Sequence, residues 1–177
     1  MYNHIQVFIQ AIPQRKEYIE GYMVPLLKKE GLIHINIIYD TDMKGPMFNF
    51  KQILYTALNF DISHFLVLQD DVIFAEDFGK HVSDLCLLEI GAISLFCPPR
   101  KQYLVERDNG TRIYTEKNFL WIPAMLYTKS YMTMLYHDSI KTEENKHDDV
   151  FVGGFAKRTK NYVRVTIPSL VQHNLQI

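Results

Sequence analysis

The chain is poor in cysteine and glycine, and it lacks a long apolar run. Its 177 residues include two cysteines, eight glycines and one tryptophan. Cys86 and Cys97 both lie in apolar runs, which favours small buried side chains over a disulfide and is consistent with a reducing compartment. No apolar run approaches the roughly 18 residues of a membrane span, and no targeting segment is recognisable at the N-terminus. We therefore expect a soluble, cytoplasmic protein.

An excess of charge of one sign is also lacking. The 19 Lys and Arg residues stand against 20 Asp and Glu residues, for a formal net charge of -1. The protein as a whole therefore does not attract nucleic acid or anionic membranes. Domains commonly take roughly 100 to 200 residues, and the chain has no repeat, low-complexity tract or linker. We expect residues 1–177 to form a single domain.

Short apolar runs alternate with amphipathic segments along the chain. Strands are predicted at 5–12, 32–39, 64–69, 91–96 and 162–167, and helices at 16–29, 48–60, 78–89, 129–137 and 149–159. Pro25 predicts a kink or a boundary inside the first helix. The interval 102–127 loses helical periodicity, and Asn109-Gly110 favours a hairpin there. This order predicts an α/β fold with a Rossmann-like, mainly parallel sheet, helices on both faces and a small β insertion.

In such sheets, ligands bind beyond the carboxyl ends of the strands, where this chain carries acidic residues. The strand HFLVLQ runs directly into Asp70 and Asp71. Two carboxylates that face a crevice suit a hard divalent cation whose other oxygen ligands come from a phosphate. Helix capping or a solvated turn is the alternative for an isolated pair. Apolar segments hold this pair on both sides, and the like charges repel unless a cation or a donor offsets them.

The run HFLVLQDDVIFAEDF resembles the strand, acidic motif and following helix of glycosyltransferases with the GT-A fold. In that family a variant of the Asp-x-Asp motif binds a divalent metal and the diphosphate of a nucleotide sugar. Pro13 and Arg15 after the first strand are similar to the family's nucleotide-binding loop, and IIYD with Asp40 is similar to its second strand. KGPMFN, HDDVFVGGF and VTIPSLVQHN resemble later pieces of the family. The resemblance covers nearly the whole chain and implies a GT-A-like fold.

The resemblance implies a metal and a donor site. Asp71 and His173 would hold Mn²⁺ or Mg²⁺. The alternative for His173 is that it is a surface residue or a capping group. The motif reads Gln69-Asp70-Asp71, so Asp70 would act through water or contact the ribose. Arg15 and Lys44 are candidates to bind the diphosphate or the nucleoside. The alternative is that both are solvated cations in loops. Asp40 would contact the nucleoside.

The resemblance also implies an acceptor site. The acceptor must lose a proton, and a carboxylate within hydrogen-bond reach can take it. Asp148 and Asp149 are the candidates for this base, and the sequence does not choose between them. Both also suit the cap of the predicted helix, where acidic side chains complement the helix dipole.

The expected function is the metal-assisted transfer of a sugar from a nucleotide-sugar donor, with a UDP-sugar as the expected type. The acceptor would be a glycan, a protein or a modified nucleic acid. Two other hypotheses stay open. Asp40 and Asp42 follow a strand in the manner of an aspartyl-phosphate nucleophile, which indicates a phosphohydrolase. The third hypothesis is a catalytically silent binding module with the same fold.

Overall fold

The computed structural model describes residues 1–97, 104–108, 111–114, 122–143 and 147–174, with the backbone alone for 104–108 and 111–114. The strands are β1 (Ile5–Ala11), β2 (Ile35–Tyr39), β3 (His64–Gln69), β4 (Val72–Phe74), β5 (Ala92–Ser94), β6 (Leu104–Asp108), β7 (Thr111–Tyr114), β8 (Ala124–Thr128), β9 (Arg164–Thr166) and β10 (Val171–His173). The α-helices are α1 (Lys16–Tyr18), α2 (Val24–Lys29), α3 (Pro46–Ala57), α4 (Phe78–Cys86), α5 (Lys129–Ser139) and α6 (Asp148–Thr159). In the described residues, no helix is long and apolar enough to cross a membrane.

The larger sheet contains eight of these strands in the order β2-β1-β3-β8-β5-β9-β7-β6. β1 pairs in parallel with both β2 and β3, and β5 pairs in parallel with β9. β8 runs antiparallel between β3 and β5, and β7 runs antiparallel between β9 and β6. In the described part of the sheet, only β8 and β7 therefore oppose the common direction. The expected mainly parallel sheet is confirmed.

Helices cover both faces of this sheet. α3, α5 and α6 pack on one face, and α4 packs on the other together with the helical segment 16–29. Successive side chains of β1 alternate between the two cores, so Phe8 lies in the first and Val7 and Ile9 lie in the second. The same alternation explains why HFLVLQ contains almost no polar residue: both faces of β3 are buried.

The first helical segment changes its geometry ahead of Pro25. It begins with a 3₁₀ turn (Pro13–Arg15), continues through α1, opens into a π-helical turn (Ile19–Met23) and ends with α2. Pro25 has no N–H to donate and crowds the preceding turn, so regular α-helical bonding fails there. The predicted boundary is thus a π-helical turn within a continuous helical segment.

One predicted hairpin is present, and three other strands, β4, β8 and β10, differ from the sequence expectation. β6 and β7 form the predicted antiparallel hairpin, although its turn at Asn109-Gly110 lies outside the described residues. β8 falls within the expected β insertion but lies in the middle of the sheet, between β3 and β5. β4 and β10 were not predicted, and they pair with each other as a separate two-stranded sheet.

Candidate active site

Three loops meet where β1, β2 and β3 end at the same edge of the sheet. Ala11 is in register with Tyr39, and Gln10 is in register with Gln69. The chain leaves these strands as Ile12, Asp40 and Asp70, and all three residues line a cavity of about 370 Å³. The carboxyl edge of the parallel strands is therefore the location of this cavity, as expected for a Rossmann-like sheet.

Asp70 lies at the wall of this cavity and is 7% exposed. Its Oδ2 accepts a hydrogen bond of 2.8 Å from the backbone N–H of Ile12. Its Oδ1 lies 2.5 Å from Arg15 Nη1. Burial raises the pKa of Asp70 and outweighs the opposing effects of the Ile12 N–H and the Arg15 guanidinium.

Asp71 contacts two basic side chains that are far apart in the sequence. Its Oδ2 lies 3.3 Å from Arg15 Nη1, and its Oδ1 lies 3.5 Å from His173 Nδ1. Burial favours a higher pKa for Asp71, but the contacts with His173 and Arg15 outweigh it and hold this pKa below its ordinary value. His173 reaches this position because β10 pairs with β4, and because the Asn174 N–H donates to the Asp71 carbonyl oxygen at 2.6 Å.

The Asp71–His173 pair fits two positions in the coordination sphere of a divalent cation. Asp71 Oδ1 is buried and has no hydrogen bond with standard geometry among the described residues. Carboxylate oxygen and imidazole nitrogen are ordinary ligands of Mn²⁺ and related ions. Within the same residues, no group of three or more His, Cys, Asp or Glu side chains is arranged to hold a metal. A cation here would therefore take its remaining ligands from a bound diphosphate and from water.

The loop from Asp40 to Gly45 is closed by its own first residue. Asp40 Oδ1 accepts a hydrogen bond of 2.9 Å from the Lys44 N–H, and Oδ2 accepts one of 2.6 Å from the Gly45 N–H. Gly45 adopts a φ of 99°, which favours glycine. The Lys44 side chain lies 3.2 Å from Asp42 and over the Phe48 ring, and it is not among the residues that line the cavity.

Asp148 and Asp149 line a second cavity of about 590 Å³ that shares Pro46 and Gln69 with the first. Asp148 is 4% exposed, and it accepts hydrogen bonds from Gln10 Nε2 at 3.0 Å and from the Asp149 N–H at 2.9 Å. Burial raises the pKa of Asp148 and outweighs the lowering effect of Gln10. Asp149 is more exposed, and its Oδ1 accepts a hydrogen bond of 2.6 Å from the Val150 N–H.

The structure brings most of the predicted residues to the two cavities. Asp40, Asp70 and Asp71 line the first cavity, and Asp148, Asp149 and His173 line the second. Arg15 contacts Asp70 and Asp71, the two carboxylates of the first cavity. The Lys44 side chain points elsewhere, although its backbone N–H holds Asp40.

Sequence reasoning missed several polar residues of this site. Gln10 holds Asp148, and Gln69 lines both cavities. Asn49 Nδ2 donates to the carbonyl oxygens of Ala11 and Ile38, which ties the ends of β1 and β2 to α3. The glutamines inside the apolar run IQVFIQA are a signal that singles out Gln10 together with Gln6, because a buried polar side chain needs a hydrogen-bond partner.

The sheet order, the helices on both faces and the cavity at the carboxyl edge define a Rossmann-like α/β fold of the GT-A type. Neither a protein-family model nor a curated protein sequence matches this chain. The fold is shared with several solved structures.

A Bacillus anthracis protein assigned as a glucose-1-phosphate thymidylyltransferase, solved in complex with a sucrose, is 11% identical with a TM-score of 0.56, over 96% of this chain and 89% of that one. A mannose-1-phosphate geranyltransferase from Thermus thermophilus is 11% identical with a TM-score of 0.51, over 92% and 73% of the two chains. A 4-diphosphocytidyl-2C-methyl-D-erythritol synthase from Anaerococcus prevotii is 13% identical with a TM-score of 0.54, over 97% and 92%. At these identities the likeness establishes the fold. None of these three proteins is named as a glycosyltransferase.

Proposed function

We propose that this protein is a glycosyltransferase that uses a nucleotide-sugar donor with the assistance of a divalent metal. The observation that carries the proposal is the pair of adjoining cavities. The first has the Asp70-Asp71 pair at its wall, with the Arg15 guanidinium in contact with both carboxylates, and the second has two carboxylates, Asp148 and Asp149. This arrangement suits a donor diphosphate on one side and a hydroxyl acceptor on the other.

The first cavity provides charge for a departing nucleoside diphosphate. A divalent ion held by Asp71 and His173 would stabilise the negative charge on the leaving diphosphate when bound. The guanidinium of Arg15 lies beside the same carboxylates and is a second cation for this charge. Asp40 holds the Asp40–Gly45 loop beside the nucleoside in this proposal, and a UDP-sugar remains the expected donor.

The second cavity provides a base for an acceptor hydroxyl. We assign this role to Asp148, because its raised pKa makes the carboxylate a stronger proton acceptor while hydrogen bonds from Gln10 and the Asp149 N–H fix its orientation. Asp149 lies beside it, is more exposed, and is proposed to bind the acceptor. The acceptor hydroxyl would donate its proton to Asp148 as the oxygen attacks the anomeric carbon and the diphosphate leaves.

Nucleotidyl transfer is the second candidate, because the similar structures include a protein assigned as a glucose-1-phosphate thymidylyltransferase. Its nucleophile is a phosphate oxygen, which needs no base and is repelled by the carboxylates of Asp148 and Asp149. The turn after β1 reads Ile12 to Arg15 without a glycine, so it lacks the glycine-rich cradle commonly used for polyphosphates. Both observations favour glycosyl transfer.

The phosphohydrolase hypothesis receives less support from the site. Both carboxylate oxygens of Asp40 already accept backbone hydrogen bonds, from Lys44 and Gly45. Asp42, the other acid of that motif, lies 3.2 Å from Lys44 Nζ and is exposed. A nucleophilic carboxylate needs a free oxygen directed at the phosphorus atom, which neither residue offers in this arrangement.

A donor panel tests the proposal. The intact protein is incubated with UDP-, GDP-, ADP- and dTDP-sugars and with nucleoside triphosphates plus sugar 1-phosphates, each with Mn²⁺, Mg²⁺ or chelator. Thermal unfolding reports binding, and release of nucleoside diphosphate or pyrophosphate reports the reaction type. The expected result is stabilisation by one family of nucleotide sugars and release of nucleoside diphosphate. Pyrophosphate release only with triphosphate and sugar phosphate would establish nucleotidyl transfer instead.

Two variants and a matched control test the residue roles. Asp148→Asn is expected to lower turnover by about 10²- to 10⁴-fold while donor binding persists. Asp71→Asn is expected to remove the metal-dependent part of the thermal stabilisation. Asp61→Asn makes the same charge change at an exposed residue that pairs with Lys129, and it is expected to alter neither property. Donor binding without turnover in the wild type, with any acceptor, would support the silent module.

A further inference from the structure

A single nitrogen of Arg15 bridges both carboxylates of the acidic pair. Nη1 lies 2.5 Å from Asp70 Oδ1 and 3.3 Å from Asp71 Oδ2. The Arg15 backbone N–H donates to the Ile12 carbonyl oxygen at 3.1 Å, while the Ile12 N–H donates to Asp70 Oδ2. Asp70 therefore holds both ends of the turn that carries Arg15.

The two contacts of Arg15 are unequal. The contact with Asp70 is short, and the Asp70 side chain is 9% exposed, compared with 23% for Asp71. Because Asp70 is also fixed by the Ile12 N–H, the guanidinium is anchored at Asp70. The longer and more exposed contact with Asp71 is the weaker of the two, since solvent screens it more.

Asp71 also lies beside His173, on the side away from Arg15. Oδ1 faces the histidine and Oδ2 faces the arginine. A cation held by Asp71 and His173 must compete with the guanidinium for the negative charge of the same carboxylate. A diphosphate that enters the cavity competes in the opposite sense, because it attracts the guanidinium away from Asp71.

We propose that Arg15 is a charge switch that pairs with Asp71 until a diphosphate binds and then re-pairs with that diphosphate. The exchange frees Asp71 for the metal and couples the two binding events. Arg15 remains anchored at Asp70 throughout. The inference deepens the proposed function and rests on it for the identity of the diphosphate, but the competition between Arg15 and a cation at Asp71 stands on the contacts alone.

Two binding measurements without turnover test the switch. The first follows Mn²⁺ alone by electron paramagnetic resonance, which detects the free ion. The second follows inorganic pyrophosphate alone by calorimetry in metal-free buffer. The proteins are the wild type, Arg15→Gln, and the control Lys16→Gln. Lys16 carries the same charge on the next residue, but it is exposed and its Nζ lies 3.9 Å from Glu20 Oε1.

Arg15→Gln is expected to change the two affinities in opposite directions. Mn²⁺ alone should bind about tenfold or more tightly, because a positive charge next to Asp71 has been removed. Pyrophosphate alone should bind about tenfold more weakly, because its cationic partner has been removed. Lys16→Gln should alter neither affinity by more than about twofold, since its charge is exposed and screened.

Other outcomes overturn the switch. If Arg15→Gln leaves Mn²⁺ binding unchanged, Arg15 is a phosphate contact without the proposed competition. If it weakens both ligands while circular dichroism and the melting temperature stay normal, Arg15 supports the geometry of the carboxylates instead. Arg15→Lys keeps the charge and is measured in case the glutamine variant misfolds. Its Mn²⁺ affinity should stay near the wild-type value. An increase in Mn²⁺ affinity like that expected for Arg15→Gln would overturn the switch. The Mn²⁺ measurement needs no sugar donor, so failure of the glycosyl-transfer proposal is distinguishable from failure of this one.

Discussion

Gln10 Nε2 donates a hydrogen bond of 3.0 Å to Asp148 Oδ2, across 138 residues of sequence. The same nitrogen donates to the Pro46 carbonyl oxygen at 3.0 Å. Gln10 and Asp148 are both buried. The first strand therefore determines the orientation of the carboxylate that faces the second cavity, and it links that carboxylate to the start of α3.

Gln10→Leu should shift the pH dependence of turnover. The Gln10 hydrogen bond lowers the pKa of Asp148 against the effect of burial, so its loss raises this pKa further. The acidic limb of the rate profile is expected to move to higher pH, and turnover at neutral pH should fall by about tenfold or more. Gln6→Leu is the control, because Gln6 is another buried glutamine of β1 that bonds to the His34 carbonyl oxygen. An unchanged pH profile in Gln10→Leu would contradict the assignment of Asp148 as the base.

Asp148→Asn should gain stability relative to the wild type as the pH rises. Burial raises the folded-state pKa of Asp148 above the value of about 3.9 in an unfolded chain. The stabilising contribution of Asp148 to the free energy of unfolding is therefore fully present below about pH 4 and is lost as the pH rises through the folded-state pKa. Asparagine keeps only one of the two acceptor oxygens that bind Gln10 and the Asp149 N–H, which adds an offset that does not depend on pH. Urea unfolding at a series of pH values measures the free energy of unfolding of both proteins. If the variant loses stability relative to the wild type as the pH rises, the prediction is refuted.

Gly45→Ala should weaken both the fold and nucleotide binding. Gly45 has a φ of 99°, where an alanine side chain is strained, although no atom lies within 4 Å of the added Cβ. We expect a destabilisation of about 1 to 2 kcal/mol. The Gly45 N–H that holds Asp40 would also shift, which should reduce the thermal stabilisation by nucleotide. Gly21→Ala is the matched control, because its Cβ also meets nothing within 4 Å but its helical backbone accepts alanine. Equal destabilisation of the two variants would show that backbone strain is not the cause.

His173→Ala should lose metal binding and keep the fold. The imidazole lies 3.5 Å from Asp71 Oδ1, whereas the pairing of β10 with β4 uses backbone atoms that the substitution retains. The affinity for Mn²⁺ in the presence of nucleotide is expected to fall by about tenfold or more. His137→Ala removes an exposed histidine at the end of α5 and should leave this affinity unchanged. Wild-type Mn²⁺ affinity in His173→Ala would exclude the histidine as a ligand.

Local sequence patterns were sufficient for much of the fold and for part of the candidate site. β3 was predicted with its observed bounds, His64–Gln69, because an apolar run of this length that ends at Asp70 is typical of a buried strand. The position of Asp70 and Asp71 beyond this strand follows from the same local pattern. The first helical segment and its boundary near Pro25 were also accessible, since proline acts on its immediate neighbours.

Long-range pairing was not accessible from these patterns. β8 reads as an apolar segment like any other, and only its pairing with β3 and β5 places it in the middle of the sheet. β10 is three residues long, too short for a periodic signal, yet its pairing with β4 brings His173 to Asp71. The contact between Gln10 and Asp148 depends in the same way on how α6 packs against the sheet.

The sequence by itself determined the order of strands and helices and the acidic residues at the strand ends, because these depend on neighbouring residues and on the alternation of buried side chains. The tertiary structure alone decided which charges meet. It joined Arg15 to Asp70 and Asp71, His173 to Asp71, and Gln10 to Asp148. Ionic contacts and pKa shifts fall off within a few ångströms, so they arise only when the fold brings distant segments together.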